Sequence, residues 1–436
     1  MNLIEKLKYY FNNSLVNKSL KVLFLRIIGV VLFFSLTLIL TNYFDPNLVG
    51  QYDFTRSLLI FLGGICVFGM HQSVIYYSGL LTSRNALDSL KSIYKKMTVI
   101  VFFISAVVFI LFYFIDDTYI NIFFEKEVAS IVVKTVATLF FYSITMLNID
   151  VFRGINKIFI SEFYRNIFRY LPFLIGIIII YNIQEQGFLI DLFLLNFLIL
   201  SIISTGYLFV YFSNGKGSSL KIEITYKDII KRSGPMAISS IAYVLMQSVD
   251  IILLSKFTNF ESVAFYAVAI KLTTMISLVL ASVNTVQAPK IAELYSLKNF
   301  KELNKIIKSA TRLIFLLTFP IIIGLAVLSN VVLKWYGEAY LVAQTALFIL
   351  LAGQSINALC GSVGVYMNMT GKQNVLQKIL LFSFFLNLIL NWYLIPLYGI
   401  NGAAFSTSFS MIFWNITTVV YIYKKDKIKT FLHANE

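Results

Sequence analysis

Residues 22–41 read VLFLRIIGVVLFFSLTLILT, and Arg26 is the one charged side chain in the run. A membrane-spanning α-helix needs about 20 mostly apolar residues. The run is too long for the apolar part of a cleavable signal sequence, which has about 7–15 residues. We therefore predict the first membrane-spanning helix here. The preceding segment 1–21 carries four lysines, and we expect it to lie along the membrane surface.

The rest of the chain has the same apolar character. Of its 436 residues, 58% are hydrophobic and 13% are charged, whereas soluble domains contain roughly 25% charged residues. A soluble fold of this size has no interior large enough for so much apolar surface, so lipid is the expected solvent. We predict an all-α polytopic membrane protein.

The formal net charge of +15 is distributed in a way that bears on function. In a soluble protein such a charge often indicates nucleic-acid binding. Here the charges form short clusters between apolar runs, a pattern that orients membrane proteins, so nucleic acid is excluded as a partner. Cys66 and Cys360 lie in apolar segments, and the two histidines, His71 and His433, are far apart. We therefore expect no metal centre and no cofactor.

Apolar runs of spanning length recur along the chain and predict about twelve membrane spans. The predicted spans are residues 22–43, 52–80, 97–115, 129–151, 160–181, 188–212, 235–255, 262–285, 310–333, 340–367, 375–396 and 400–423. The second and the tenth run are longer than a bilayer requires, so we expect these helices to tilt or to extend beyond it.

The loops between these spans alternate in charge. Loops with several basic residues, such as the one that holds Lys91, Lys95 and Lys96, follow the even-numbered spans. Loops without a basic excess, such as the one that holds Asp116 and Asp117, follow the odd-numbered spans. Basic loops of membrane proteins face the cytoplasm. The alternation therefore predicts an inner-membrane protein with both termini in the cytoplasm.

The two halves of the chain resemble each other at three places. Residues 48–54 (LVGQYDF) resemble 262–268 (SVAFYAV), 88–98 (DSLKSIYKKMT) resemble 301–311 (KELNKIIKSAT), and 154–157 (GINK) fall opposite 369–372 (MTGK). The offsets are 214, 213 and 215 positions. Chance similarity between apolar sequences is the alternative explanation, but a near-constant offset favours a repeat.

A repeat of six spans divides the chain into two bundles of the same orientation. Such repeats are related by an axis along the membrane normal. We predict an N-terminal six-helix bundle over residues 1–212, a cytoplasmic linker over 213–234 and a C-terminal six-helix bundle over 235–436.

Three motifs carry a resemblance to a known family. They are residues 48–52 (LVGQY), 153–157 (RGINK) and 396–404 (PLYGINGAA), of which the last is the most specific. With these motifs the whole chain resembles the multidrug/oligosaccharidyl-lipid/polysaccharide exporter superfamily. Within it, the chain is similar to the polysaccharide-unit flippases of O-antigen and capsule pathways. Twelve spans fit this branch better than the related lipid II flippases, which have two more.

The resemblance has implications for architecture and cargo. It implies two pseudo-symmetric six-helix bundles around a central cavity that opens alternately to either side of the membrane. It implies an undecaprenyl-diphosphate-linked oligosaccharide as cargo, moved from the cytoplasmic to the outer leaflet among the membrane lipids. A polysaccharide polymerase and a chain-length regulator are the further partners that it suggests.

Basic residues inside the spans are the candidate substrate-binding residues. A diphosphate that crosses hydrocarbon needs cationic partners, because a buried unpaired anion is very costly. Arg56 in the second span and Lys271 in the eighth are 215 positions apart, close to the repeat offset. We expect them to meet across the pseudo-twofold axis, one from each bundle, and to grip the diphosphate. The alternative is that both side chains reach out to the lipid headgroups.

Arg26 and Lys134 are further candidates for binding the cargo. Arg26 lies about one turn inside the first span, and Lys134 lies more than a turn inside the fourth. Lipid II flippases carry functional cations on spans one, two and eight, which agrees with Arg26, Arg56 and Lys271. Contact with headgroups remains the alternative for Arg26 and Lys134. Asp53, three residues before Arg56, is a candidate partner for it at helical spacing.

Two acidic residues inside the spans are candidates for coupling transport to an ion. Asp250 lies well inside the seventh span, and Asp150 lies near the inner end of the fourth. A carboxylate in a low-dielectric environment can carry a proton, or can bind Na⁺ together with neighbouring hydroxyls. For Asp250, a structural ion pair with Arg56 or Lys271 is the alternative. Proton coupling, sodium coupling and uncoupled transport all remain open.

Several amide side chains interrupt the apolar spans. Their hydrogen-bonding groups suit sugar hydroxyls, although hydrogen bonds between helices explain them equally well. The residues are Gln287, Gln354, Asn357, Asn368, Asn387 and Asn391.

A lipid-linked oligosaccharide flippase is therefore the function that the sequence favours. A cation-coupled multidrug exporter of the same superfamily is the first alternative, but its cationic cargo calls for an acidic cavity. A membrane polysaccharide polymerase is the alternative from another class. Such enzymes usually present a sizeable outer loop or domain, whereas the predicted outward loops are short, so we predict no enzyme and no catalytic residues.

Overall fold

The computed structural model describes residues 14–83, 87–214 and 222–432. Within these ranges the chain forms seventeen α-helices and no β-strand. Residues 14–21 belong to the first helix, and the rest of the predicted surface segment, residues 1–13, lies outside the described residues. The ends of the chain, whose side of the membrane the loop charges predict, lie largely outside them as well.

The helices group into two compact units. Of the described residues, the first unit contains those up to Phe44 and from Leu58 to Ile241, and the second contains Asp45–Ser57 and those from Ala242 onwards. The predicted division at a linker over 213–234 stays a prediction, and residues 215–221 of that linker lie outside the described ones.

The first unit is formed by short and long helices from the N-terminal half of the chain. Its helices are α1 (Ser14–Tyr43), the second part of α2 (Pro46–Val67), α3 (Met70–Ser83), α4 (Leu90–Tyr113), α5 (Asp117–Phe124), α6 (Ala129–Ala137), α7 (Leu139–Gly154), α8 (Ile158–Phe163), α9 (Leu171–Asn182), α10 (Leu189–Ser213) and the first part of α11 (Tyr226–Phe257).

A buried amide joins three helices of the first unit. Asn148 on α7 is fully buried. Its Oδ1 accepts a hydrogen bond from the Tyr94 hydroxyl of α4 at 2.8 Å. Its Nδ2 donates to Ser204 and Thr205 of α10, each at 2.9 Å. Side chains of this kind hold helices together in membranes, where apolar contact alone gives little preference for a partner.

The second unit is formed by the remaining helices. It contains the first part of α2, the second part of α11, α12 (Phe260–Ser296), α13 (Phe300–Val327), α14 (Ser329–Trp335), α15 (Gln344–Cys360), α16 (Val363–Met369) and α17 (Gln373–Asp426). Gly50 lets α2 approach the start of α12, because a Cβ at Gly50 would lie 1.7 Å from the carbonyl oxygen of Phe260.

Helix α17 contains two spans rather than one. At about 1.5 Å per residue a 54-residue helix is roughly 80 Å long, far more than the ~30 Å of bilayer hydrocarbon. The backbone leaves the helical region at Gly399, where φ is 54° and ψ is −129°. A Cβ at Gly402 would lie 2.2 Å from the carbonyl oxygen of Leu394. The sharp turn and close packing predicted for residues 396–404 are confirmed.

The described helices account for the predicted spans. Eight of them are long and apolar enough to cross a membrane, and ten spans result if each of two bent helix pairs, α2 with α3 and α6 with α7, counts as one. The turn at Gly399 divides one of these spans in two, and the predicted span 235–255 lies within α11. An all-α membrane protein of about twelve spans is therefore confirmed as the fold class.

Candidate functional site

Lys271 and Asp53 form an ion pair inside the second unit. Lys271 Nζ on α12 lies 2.8 Å from Oδ1 and 2.9 Å from Oδ2 of Asp53 on α2. The side chains are only 5% and 0% exposed. The ammonium also lies over the ring of Tyr52, 5.8 Å from the ring centroid. Lys271 therefore does not reach out to headgroups.

Arg56 lies one helical turn after Asp53 on α2. Its side chain is partly buried, and its positive charge acts on the Lys271 ammonium. Arg56 and Lys271 thus place two cationic side chains close to each other in a region that is otherwise apolar. Such charges are rare inside membrane spans and mark candidate functional sites.

The structure adds two details to what the sequence suggested for this group. Arg56 and Lys271 both belong to the second unit, in which Gly50 lets the start of α2 pack on α12. Asp53 was a candidate partner for Arg56, and the structure shows that it pairs with Lys271.

Arg26 is held by a carboxylate of the first unit that sequence reasoning missed. Its Nε donates to Oε2 and its Nη2 donates to Oε1 of Glu162, both at 3.0 Å. Asn166 also donates to Oε2 at 3.0 Å. Glu162 is only 6% exposed, whereas Arg26 is 45% exposed. A charged residue in the predicted fifth span was the signal that could have revealed Glu162.

The remaining candidates of the first unit also form ion pairs. Lys134 Nζ lies 2.6 Å from Asp191 Oδ1, and both side chains are well exposed. Arg165 Nη2 lies 2.6 Å from Asp150 Oδ1, and Asp150 is mostly buried. Each of these candidates therefore has a counter-charge of its own.

Asp250 has an environment of a different kind. It is 1% exposed, and its Oδ2 accepts hydrogen bonds from the Tyr266 hydroxyl at 2.8 Å and from Thr407 Oγ1 at 3.2 Å. Among the described side chains, no lysine or arginine forms an ion pair with it. The predicted alternative of a structural pair with Lys271 is wrong, since Lys271 binds Asp53. A buried carboxylate surrounded by hydroxyls suits a proton or a small cation.

A second lysine–aspartate pair of this unit was also missed. Lys372, between the tenth and eleventh predicted spans, pairs with Asp426 and donates to the Tyr295 hydroxyl at 3.0 Å. Desolvation lowers the pKa of Lys372, but its bonds to Asp426 and Tyr295 raise it by more, so the pKa lies above its ordinary value. The Tyr366 hydroxyl donates to the same carboxylate at 2.6 Å. This group fastens the end of α17 to α12 and α16.

The described residues contain no group of three histidine, cysteine, aspartate or glutamate side chains that could hold a metal ion.

Comparison with known proteins assigns the chain to a family. A family model described as polysaccharide biosynthesis protein matches residues 15–295, more than half of the chain. The chain belongs to the polysaccharide biosynthesis protein family. A second family model, MatE, matches residues 235–393 of this family member.

Two curated proteins are similar in sequence to this polysaccharide biosynthesis protein. One is the "Putative O-antigen transporter" of Shigella flexneri, 27% identical over 208 residues. That alignment covers 46% of the chain and 49% of the relative, so the chain matches about half of the relative's length. The other is an uncharacterized membrane protein of Methanocaldococcus jannaschii, 25% identical over 83% of the chain and 74% of the relative.

Solved structures share the fold of this family member. The lipid II flippase MurJ in an inward closed conformation has a TM-score of 0.73 at 17% identity, and covers 93% of the chain and 87% of its own. An inward-facing multidrug resistance MATE family transporter of the MOP superfamily has a TM-score of 0.69 at 13% identity, with coverages of 92% and 94%. The predicted resemblance to the exporter superfamily is confirmed, and the chain is a multi-pass membrane protein.

Proposed function

We propose that the protein is a flippase that moves an undecaprenyl-diphosphate-linked oligosaccharide from the cytoplasmic to the outer leaflet of the inner membrane by alternating access. The family assignment and the name of the Shigella relative support the substrate class. The observation that carries the proposal is the buried Lys271–Asp53 pair with Arg56 beside it.

The pair explains how a cation for binding diphosphate can stay buried in the membrane when no cargo is present. A buried lysine without a counter-charge is costly when no cargo is bound. In our proposal Asp53 neutralises Lys271 in the empty protein, and the cargo diphosphate binds to Lys271 and Arg56 when it enters. Arg56 then contributes a planar guanidinium that can bind two phosphate oxygens at once.

Asp250 is the proposed ion-coupling residue. Its burial and its hydroxyl partners Tyr266 and Thr407 support binding of a proton or Na⁺. Asp150 has weaker support, because Arg165 already supplies its counter-charge. Arg26 and Lys134 likewise have weaker support as cargo contacts, because Glu162 and Asp191 bind them.

The remaining proposals concern location and partners. The charge pattern of the loops supports placement of both termini in the cytoplasm. A polysaccharide polymerase and a chain-length regulator are proposed partners from the family resemblance alone. The protein itself is proposed to be a transporter and no enzyme.

A multidrug exporter is the second candidate function, and the MatE match over residues 235–393 favours it. Such an exporter usually takes cationic cargo, which a group containing Lys271 and Arg56 repels. The basic pair therefore favours an anionic cargo over a cationic one.

Deletion of the gene tests these proposals against each other. We expect the lipid-linked sugar unit to accumulate in the inner leaflet, as measured by its protection from a membrane-impermeant labelling reagent. Units that reach the outer leaflet but are not polymerised would point to the polymerase. Unchanged lipid-linked sugar together with increased drug sensitivity would point to the drug exporter.

A further inference from the structure

The second unit contains a cavity of about 360 Å³ between α12, α15, α16 and α17. This volume falls within the range of small-molecule sites, about 300–1,000 Å³. None of the described residues that line the cavity is charged. Its polar groups come mainly from amide side chains, namely Asn284, Gln354, Asn357, Asn368 and Asn387.

Hydrogen bonds between helices leave some of these amide groups without a partner. Asn357 donates to Gln354 Oε1 at 3.1 Å, and Gln354 donates to Ser277 at 3.4 Å. In contrast, Asn284 and Asn368 make no side-chain hydrogen bond within the described part of the chain, and the Oδ1 atom of Asn284 is buried. A buried amide oxygen without a hydrogen-bond donor is costly, so the Oδ1 atom of Asn284 implies that the cavity holds a polar partner.

The chemistry of the wall specifies the kind of partner. Each amide offers both donors and acceptors, the combination that hydroxyl groups require. The indole ring of Trp414 faces the cavity near Gly364, and provides a flat apolar surface that can contact the ring face of a sugar. The wall has no fixed charge, so no counter-charge offsets the desolvation of a charged ligand.

The cavity and Lys271 share helix α12. Ser277 and Asn284, both in its wall, follow Lys271 by six and thirteen residues on α12. At 1.5 Å and 100° per residue they lie about 9 Å and about 20 Å farther along the helix axis, on a face about 120–140° around the helix from Lys271. An oligosaccharide can bridge such a separation, whereas a diphosphate cannot.

We propose that this amide-lined cavity is a binding subsite for an uncharged sugar residue of the cargo, separate from the cationic group at Lys271. The inference rests on the proposed flippase function and adds a sugar preference to it. In this arrangement Lys271 and Arg56 bind the diphosphate that all such cargoes share. The cavity selects cargoes by their sugars and favours neutral over acidic ones.

Trp414 allows the subsite to be tested by fluorescence. The chain has three tryptophans, so Trp335→Phe with Trp392→Phe leaves Trp414 as the single reporter. The full chain is placed in phosphatidylcholine nanodiscs, because a maltoside detergent would itself supply sugar. It is titrated with glucose, galactose, N-acetylglucosamine and glucuronate. We expect a saturable change with at least one neutral sugar and at least tenfold weaker binding of glucuronate.

A cavity-filling variant and a matched control complete the experiment. A Cβ at Gly364 would lie 3.9 Å from the Trp414 ring, an ordinary contact, so the first atom of the Gly364→Leu side chain fits and the rest of it enters the cavity. We expect it to lower the affinity at least tenfold. Gly324→Leu on α13, where an added Cβ meets nothing within 4 Å, should leave the affinity unchanged. Asn357→Leu is the second test variant should Gly364→Leu not fold.

The outcomes separate this proposal from the proposed function. The absence of a saturable response to every neutral sugar, or equal binding by the cavity variants and the control, overturns the subsite. If gene deletion causes lipid-linked units to accumulate while cavity variants bind and export normally, the subsite alone is wrong. If neutral sugars bind as expected but deletion causes no accumulation, the flippase function is wrong and the sugar site stands.

Discussion

Two lysine–aspartate pairs of similar length differ in almost everything else. In the pair Lys271–Asp53 the shortest N–O distance is 2.8 Å, and in Lys134–Asp191 it is 2.6 Å. The side chains of the first pair are 5% and 0% exposed, and those of the second are 53% and 41% exposed. The N–O distances alone would predict two pairs of similar strength, whereas the difference in burial predicts different strengths.

The difference matters because solvent sets the strength of an ion pair. Exposed pairs contribute about 0–1 kcal/mol, since water and salt screen the charges. Loss of one partner from a buried pair costs about 3–5 kcal/mol, because the other charge remains unpaired in a low-dielectric environment. The pair Arg26–Glu162, with exposures of 45% and 6%, lies between these extremes.

The largest effect is expected for Lys271→Ala. The variant leaves the fully buried Asp53 without its cation, so we expect a loss of stability of about 3–5 kcal/mol and loss of export. Thermal unfolding of the purified protein and the amount of exported glycan measure the two effects. Arg56→Ala should impair export with normal membrane insertion.

A double variant separates stability from function at this pair. Asp53→Leu with Lys271→Met replaces both charges by apolar groups, which for buried pairs is often neutral or stabilising. We expect stability near that of the wild type but no recovery of export. Wild-type export by this double variant would show that Lys271 serves only the fold.

Asp250→Asn should have the next largest effect on transport and a small one on stability. The amide oxygen can still accept hydrogen bonds from Tyr266 and Thr407, but the charge that binds a proton or Na⁺ is lost. Export by the wild type should depend on a proton or sodium gradient, and this dependence should vanish in the variant. Asp150→Asn, whose partner is Arg165, tests the less supported coupling candidate in the same way. An unchanged ion dependence in Asp250→Asn argues against its coupling role.

Arg26→Lys tests the pair of intermediate burial. A lysine has one ammonium group and cannot reproduce the two parallel hydrogen bonds of the guanidinium with Glu162. We expect a loss of about 1–3 kcal/mol in the free energy of unfolding. Arg26→Lys with Glu162→Gln removes the buried charge and should recover part of it. Equal stability of Arg26→Lys and wild type would mean that the fork geometry is unimportant.

The smallest effect is expected for Lys134→Ala. Because Lys134 and Asp191 are exposed and lie near the ends of their predicted spans, where water reaches them, the free energy of unfolding should change by less than about 1 kcal/mol. Export should stay within twofold of the wild type. A large export defect with unchanged stability would instead support Lys134 as a direct contact of the cargo.

Much of the fold could be predicted from the sequence because hydropathy is a local property. The apolar run 22–41 and the corresponding runs along the chain indicate spans without any knowledge of their neighbours. The turn at residues 396–404 could also be predicted from local sequence, since Gly399 allows the turn and Gly402 allows close packing.

The site could be predicted only in part. Lys271 stood out because a charge inside a span is unusual, and the same reasoning found Asp250. The partners of Lys271 and Arg26 could not be read from the sequence. Asp53 lies 218 positions before Lys271, and Glu162 lies 136 positions after Arg26. At these separations, helix packing rather than spacing determines which charges meet.

The sequence by itself determined that this protein crosses the membrane repeatedly and that basic loops alternate with non-basic ones. The reason is that each spanning helix must be apolar and must pair its own backbone hydrogen-bonding groups in the bilayer. Only the tertiary structure decided which of its charges are buried together and which amides surround one cavity. Both depend on how helices pack, and small residues such as Gly50 set that packing. The spans thus follow from the chemistry of single segments, and the candidate sites follow from contacts between segments far apart in the chain.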